Sequence, residues 1–218
     1  MKPGVNVYEA CDKAINAINR QIIEDFGKLR LTKWDEVNIV RTVMAVYRTS
    51  ARKARRRYYE VAFEAYLVMM AMCDIEPEKA HKMAEEAITK KWVDNVLEES
   101  DPVTHYVFNN ELERKAQRLA ESIDAGTDKL YEIEKAIRFW SRQLGQYAIN
   151  MTDYAMLQAL QDAGYDEAEW VTQDDEKVCI ECESRNGNVY TLEDIPTKHP
   201  NCRCYIKPKK TVLNGNAV

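Results

Sequence analysis

The chain has 218 residues, 45% of them hydrophobic and 31% charged, with a formal net charge of −5. That leaves room for one ordinary domain and a small appendage, and it excludes a membrane-spanning helix, because no apolar run approaches the ~20 residues that cross a bilayer. The net acidity excludes a protein that coats nucleic acid over its whole surface, while leaving room for a local basic stripe.

The opening MKPGVNVYEACDK has no apolar core followed by small residues, so no signal peptide is expected. A chain made and used in a reducing cytosol is expected to use a CxxC pair for metal or redox chemistry rather than for a structural disulfide. Neither glycine nor proline occurs between Gly27 and Pro77, nor between Gly145 and Gly164. Helices need such tracts; sandwiches and barrels do not. The expected fold is mainly α: an elongated antiparallel bundle of long helices, or an arm that packs on another chain, followed by a small C-terminal α+β or β module stapled by zinc. The expected divisions are a helical part over 1–164, a Cys/His module over 165–210 and a frayed tail over 211–218.

The first helix is expected from about Val7 to Phe26, ending at Gly27. The second should run from near Lys33 to about Cys73, roughly 60 Å at 1.5 Å per residue. Its apolar positions Val40, Met44, Tyr47, Ala51, Ala54, Tyr58, Val61, Ala65, Val68 and Met72 alternate by four and three, as in a coiled-coil seam or a long bundle helix. Pro77, and Pro102 after the N-cap residue Asp101, open helices expected over Glu78–Glu98 and Val103–Ile123. Thr127 can cap a last long helix ending near Gly164, with Leu130, Ile133, Ile137, Trp140, Leu144, Tyr147, Met151 and Tyr154 on one face. After Gly164 the pattern changes to short strands, Glu169–Thr172, Asn188–Leu192 and Cys204–Lys207, with RNGN as a hairpin-type turn signal. About forty residues cannot bury a core large enough to fold alone, so this segment needs a staple.

The staple is written in the spacing C-x2-C-x16-H-x2-C-x-C, formed by Cys179, Cys182, His199, Cys202 and Cys204. Zinc takes four N or S ligands at tetrahedral corners, and two closely spaced pairs supply them. Cys179 and Cys182 form the first pair; the second is His199 with Cys202, or Cys202 with Cys204. Bound zinc contributes ~10–16 kcal/mol of apparent free energy, ample for a segment with little core. The competing readings are two disulfides in an oxidised particle, a redox CxxC, a Cys/His nucleophile pair, and catalytic zinc served by Glu181 or Glu183. A redox pair belongs at the start of a helix after a strand, whereas CIECESRNG reads as running into a turn. Cys11 and Cys73 fall in helical patterns as small apolar packers. His81 and His105 are lone histidines on amphipathic helices and read as surface or satisfied core residues.

Trp170, the run Asp174–Lys177, Cys179, Cys182, Gly187, Pro196, His199, Pro200, Cys202 and Cys204 stand in an order that closes on HPNCRC. This segment, from about Gly164 to Pro208, resembles the C-terminal signature of the phage head morphogenesis proteins, the Mu F-like minor capsid family. The likeness covers about a fifth of the chain. The Arg-Thr-Glu element that many relatives carry before the Trp has its counterpart in Met151-Thr152-Asp153, with methionine in place of the arginine. The resemblance implies a virion protein rather than an enzyme. It would be a minor head component at the portal vertex, assembled in the host bacterial cytoplasm. Its expected partners are the portal protein and other head proteins, with packaged double-stranded DNA as a further one and no membrane or small-molecule substrate. The alternative from a different class is a zinc-dependent nuclease or hydrolase using the Cys/His module; a cellular zinc-ribbon adaptor is a third.

The segment YRTSARKARRRYY places Arg48, Arg52, Arg55 and Arg56 in one stripe beside the apolar seam of the second helix. Such a stripe can neutralise phosphates or meet an acidic protein partner. The plainer reading is a solvated helix face paired with some of the chain's own 36 acids.

Overall fold

The computed structural model describes residues 7–28, 36–99, 110–124, 128–172, 178–199 and 202–209. Its helices are α1 (Glu9–Gly27), α2 (Glu36–Met72), α3 (Pro77–Ala87), α4 (Lys90–Glu99), α5 (Asn110–Asp124), α6 (Lys129–Asp162) and the short α7 (Ile180–Arg185). The strands are β1 (Glu167–Val171), β2 (Val189–Thr191) and β3 (Tyr205–Lys209). The protein is thus mainly helical, with long packed helices and a small three-stranded antiparallel sheet that carries the Cys/His cluster. Several expected features lie outside the described residues: the start near Lys33, the Asp101–Pro102 cap with the first residues of its helix, the Thr127 cap and the tail 211–218.

Three contacts fix the central helix pair. Tyr47 stacks on Trp140 at 4.2 Å between ring centroids, the Tyr58 hydroxyl donates to the Leu144 carbonyl at 2.9 Å, and the Tyr66 hydroxyl donates to Asp162 at 2.7 Å. Residue numbers rise together on both helices, so α2 and α6 run parallel. The antiparallel order expected from the sequence holds for α3 and α4, which meet α2 at Phe63 through His81 and then at Arg55 through Asp94, and for α1. Its last turn meets the first half of α2 through Asp25 and Lys53 at 2.7 Å, and its start meets the second half of α6 through Tyr8 and Asp153 at 2.7 Å. The chain through α3, α4 and α5 returns to the starting end before α6 begins, and this makes the parallel pair.

At 37 residues α2 is about 55 Å long. Its buried face does not hold the strict four-three alternation throughout. Tyr47, Ala51, Ala54, Tyr58, Val61 and Ala65 are buried as expected, but at the ends burial passes to Ile39 and Val43 and to Met69 and Cys73. Val40, Met44, Val68 and Met72 are only partly buried against this core. A straight helix turns once per 3.6 residues, so its contact face drifts away from a 3.5-residue pattern. The same drift on α6 buries Ala155 and leaves Tyr154 exposed.

The helix expected over Glu78–Glu98 is two helices. Ile88 leaves helical geometry at φ −90°, ψ 83°, and Thr89 accepts the Trp92 backbone N–H on its hydroxyl at 3.1 Å. That is an N-cap bond, and it starts α4 on a new axis. The end of α6 falls where expected: Gly164 takes φ +77° and the Tyr165 N–H bonds back to the Leu160 carbonyl at 3.0 Å, a left-handed helix stop that glycine adopts without strain.

The sheet has strand order β2-β1-β3, with both pairings antiparallel. Glu169 of β1 stands opposite Val189 of β2, and Trp170 stands opposite Ile206 of β3. Ala168, Leu192, Tyr205 and Ile206 join the core of the helices, and β3 packs on α2 and α6. Trp170, Cys182, Cys202 and Cys204 form a second, smaller buried cluster. The C-terminal segment therefore borrows a core from the bundle as well as carrying a candidate staple. Among the described residues, no helix is long and apolar enough to cross a membrane.

Candidate metal centre

Cys179 is the N-cap of α7, with extended backbone at φ −80°, ψ 157°, and its sulfur accepts the Cys182 backbone N–H at 3.4 Å. Cys182 lies one turn on, facing inward. The second group comes from a turn closed by the Cys202 N–H on the His199 carbonyl at 3.1 Å, which brings both His199 and Cys202 to Cys182. Cys204 follows two residues later, next to the start of β3. His199 Nε2 stands 3.3 Å from both Cys179 Sγ and Cys182 Sγ. Cys182 Sγ is 3.6 Å from Cys202 Sγ. All five sequence candidates are thus brought together in two overlapping sets, Cys179/Cys182/His199 and Cys182/Cys202/Cys204, that share Cys182.

The donors fit a metal ion such as zinc. Sulfur ligands about 2.3 Å from a tetrahedral zinc lie roughly 3.7 Å apart, with slightly shorter sulfur–nitrogen edges; the Cys179–His199, Cys182–His199 and Cys182–Cys202 separations are 3.3–3.6 Å. Three of the four thiols are buried and Cys179 is half-buried. The surroundings separate these thiols electrostatically. The Cys182 N–H, with the nearby His199, holds the Cys179 thiol below its ordinary range. Burial pushes Cys182 well up. Burial also raises Cys202, against the pull of the Cys204 backbone N–H donated to its sulfur. Desolvated thiols resist ionising alone, and a cation among them supplies the missing charge.

Two readings of the loop chemistry are corrected. CIEC does not run into a turn; it opens a six-residue helix after β1. Helix position therefore does not distinguish a redox pair from a metal knuckle. The distinction comes from His199 Nε2 standing equidistant from both sulfurs, with Cys202 adjoining. RNGN does not join two hairpin strands either. Asn186 and Gly187, the latter at φ +81°, close α7, and the Gly187 N–H returns to the Trp170 carbonyl at 2.8 Å.

The residues interleaved with the candidate ligands anchor the cluster to the bundle, a role with no local sequence signal. Lys198 reaches Asp153 of α6 at 2.6 Å and the Tyr8 hydroxyl at 3.1 Å. It also lies 5.8 Å from the Tyr8 and Trp170 ring centres. Arg203 pairs with Asp12 of α1 at 2.6 Å, its guanidinium 5.5 Å from the Tyr8 ring centre. The Tyr8 hydroxyl, wholly buried, stands 2.7 Å from Asp153 and 2.9 Å from the Cys204 carbonyl, so its one proton serves either acceptor. Burial raises the Asp153 carboxyl above its ordinary range, against the opposing pull of Lys198. In Met151-Thr152-Asp153 the third residue thus holds the cluster's loop.

Of the acids beside the first pair, Glu181 is ion-paired with Arg185, whose guanidinium lies 5.4 Å from the Trp170 ring centre; Glu183 is exposed. Arg48, Arg52, Arg55 and Arg56 are all exposed on α2. Arg55 is paired with Asp94 of α4 and Arg56 with Glu60. For Arg48 and Arg52, no carboxylate stands within ion-pair distance among the described residues. Cys11 and Cys73 are buried in the helical core, and burial pushes the Cys11 thiol up to about 12. His81 is exposed on α3, 3.6 Å from Glu85 and edge-on to Phe63; His105 lies outside the described residues. Comparison of the chain with protein-family models, with curated proteins and with solved structures finds no match.

Proposed function

We propose that this protein is a structural minor head component of a phage or prophage, of the Mu F-like kind, and that one zinc ion held by four of the five Cys/His groups stiffens its C-terminal segment. The observation that supports it is the convergence of CIEC and HPNCRC, the residues that carry the family likeness, into one cluster pinned to a long helical bundle. In this reading the long helices dock on the portal protein or other head proteins at the portal vertex, and the ion has a structural role. Arg48 and Arg52 are the part of the basic stripe left for a partner, either an acidic protein surface or the backbone of packaged DNA. Assembly takes place in the host bacterial cytoplasm.

Two measurements test this. The purified chain should carry about one zinc per molecule, lost in His199→Ala, and in purified particles it should localise at the portal vertex. Double replacement of Arg48 and Arg52 by Gln should weaken capture by isolated portal or by duplex DNA; unchanged capture of both removes the stripe from the reading. Metal-dependent DNA cleavage by the purified chain, abolished in His199→Ala with the fold retained, would overturn the structural role in favour of a hydrolase.

A further inference from the structure

The segment from Lys198 to Cys204 alternates candidate ligands with anchors. His199, Cys202 and Cys204 face the cluster. Lys198, beside His199, holds Asp153 of α6 and touches Tyr8. Arg203, between Cys202 and Cys204, holds Asp12, while the Cys204 carbonyl lies within reach of the Tyr8 hydroxyl. Tyr8 and Asp12 belong to one element: Tyr8 is the N-cap of α1, and the Asp12 N–H bonds to its carbonyl at 2.8 Å. Every one of these anchors leaves the loop within one residue of a candidate ligand. A loop whose side chains are ligated has its backbone fixed, and its anchors are then held in register without further ordering cost. Released, the same loop must be ordered afresh before Arg203 and Lys198 can find their partners.

We propose that metal binding at the Cys/His cluster and docking of the first turn of α1 are thermodynamically linked: occupancy locks the turn carrying Tyr8 and Asp12 against the loop, and loss of the ion frees it while the rest of the bundle stays folded. This rests on the metal-site reading above. Tyr8 and Cys11 of the first turn also reach the helical core, but the rest of α1 is held there through Ala14, Ile18, Ile22 and Phe26, so the release stops at the first turn. Linkage is reciprocal. A change in α1 that weakens docking must therefore lower metal affinity by the same factor, although Asp12 touches no candidate ligand through its own side chain.

The experiment uses the full chain and zinc alone. Amide hydrogen exchange is followed with zinc bound and after chelation, and zinc affinity is measured by competition with a chromophoric chelator for the wild type, Asp12→Asn and Asp12→Glu. Exchange over residues 9–14 is expected to quicken about ten-fold or more on chelation, with the protected amides of α2 and α6 unchanged. Asp12→Asn should weaken zinc binding about five-fold, and Asp12→Glu should recover part of that loss. Unchanged exchange over 9–14, or loss of protection spread evenly through α2 and α6, overturns the linkage. So does an Asp12→Asn chain that folds and binds zinc as the wild type does; if that variant fails to fold, the wild-type exchange decides. A wild-type chain that takes up no zinc would instead defeat the metal-site reading itself, a result plainly distinct from the others.

Discussion

Replacing Lys198 with Met keeps most of the side-chain stem and removes its charge. Lys198 and Asp153 are 2.6 Å apart, with side chains only 14% and 20% exposed. Most of the solvation of both groups has been given up for the pair. Removing one partner of such a pair typically costs about 3–5 kcal/mol, because the other charge is left buried and uncompensated. Tyr8 can still donate its hydroxyl to Asp153 at 2.7 Å, so the lower end applies, about 3 kcal/mol at neutral pH. The pH dependence has a definite sign. Burial raises the Asp153 pKa above the ordinary 3.8 of an aspartate, and Lys198 opposes this. A carboxyl whose folded pKa is raised stabilises the fold fully below the unfolded value, and that contribution is lost as pH rises through the folded pKa. Without Lys198 the folded pKa rises further, so the deficit of Lys198→Met should be largest at neutral pH and should shrink as pH falls toward 3.8. Urea unfolding followed by far-UV circular dichroism, with zinc in excess, gives the deficit at each pH. The same substitution in an Asp153→Asn background separates this pair from effects on the neighbouring His199: there it should cost less than about 1 kcal/mol. An equal loss in both backgrounds would refute the assignment of that energy to the buried pair.

Three further substitutions probe the backbone devices that shape the molecule. Gly187→Ala should lose about 1–2 kcal/mol, all of it backbone strain at φ +81° because an added Cβ meets nothing within 4 Å; a thermal melt no lower than the wild type would contradict this. Gly145→Ala, inside α6, should instead gain about 1 kcal/mol, since its Cβ would sit 3.6 Å from Ile15 Cγ2, an ordinary contact; a fall in melting temperature would show that α1 and α6 need the closer approach. Thr89→Ala should cost about 1 kcal/mol by leaving the Trp92 N–H of α4 without its cap, and unchanged urea stability would remove the cap from the account of the α3–α4 break.

Much of the helical architecture was legible because glycine, proline and apolar spacing are local signals. Gly164 marked the end of α6 to within two residues, and the Cys/His spacing brought out all five members of the cluster. Apart from the local signals in CIEC and RNGN, the misreadings share a cause: each depended on geometry that accumulates or closes over distance. The drift of the α2 face from Val40 to Ile39 and from Val68 to Met69 follows from a tenth of a residue per turn, invisible in any short window. Thr89 was readable as a cap, but the helical pattern on both sides of it is continuous. The parallel pairing of α2 with α6 depends on how α3, α4 and α5 route the chain. Tyr8, Asp12 and Asp153 gave no signal because their partners lie 191 residues away for Asp12 and 45 for Asp153.

The placement of Lys198 and Arg203 explains why a segment with so little core of its own has one orientation on the bundle. Apolar contact through Ala168, Leu192, Tyr205 and Ile206 is non-directional and would tolerate a sliding sheet. The two cations meet two carboxylates on different helices, Asp153 on α6 and Asp12 on α1, and a slide that kept one pair would break the other. A broken pair leaves a part-buried charge uncompensated, so the two bridges act chiefly by penalising the wrong registers rather than by adding stability to the right one. Arg203, wedged between two thiols, is thus accounted for without any chemistry at the cluster. It points away from the sulfurs toward α1, and the alternation of side chains about Cys202, Arg203 and Cys204 puts a candidate metal donor on one side of the strand entry and an anchor on the other.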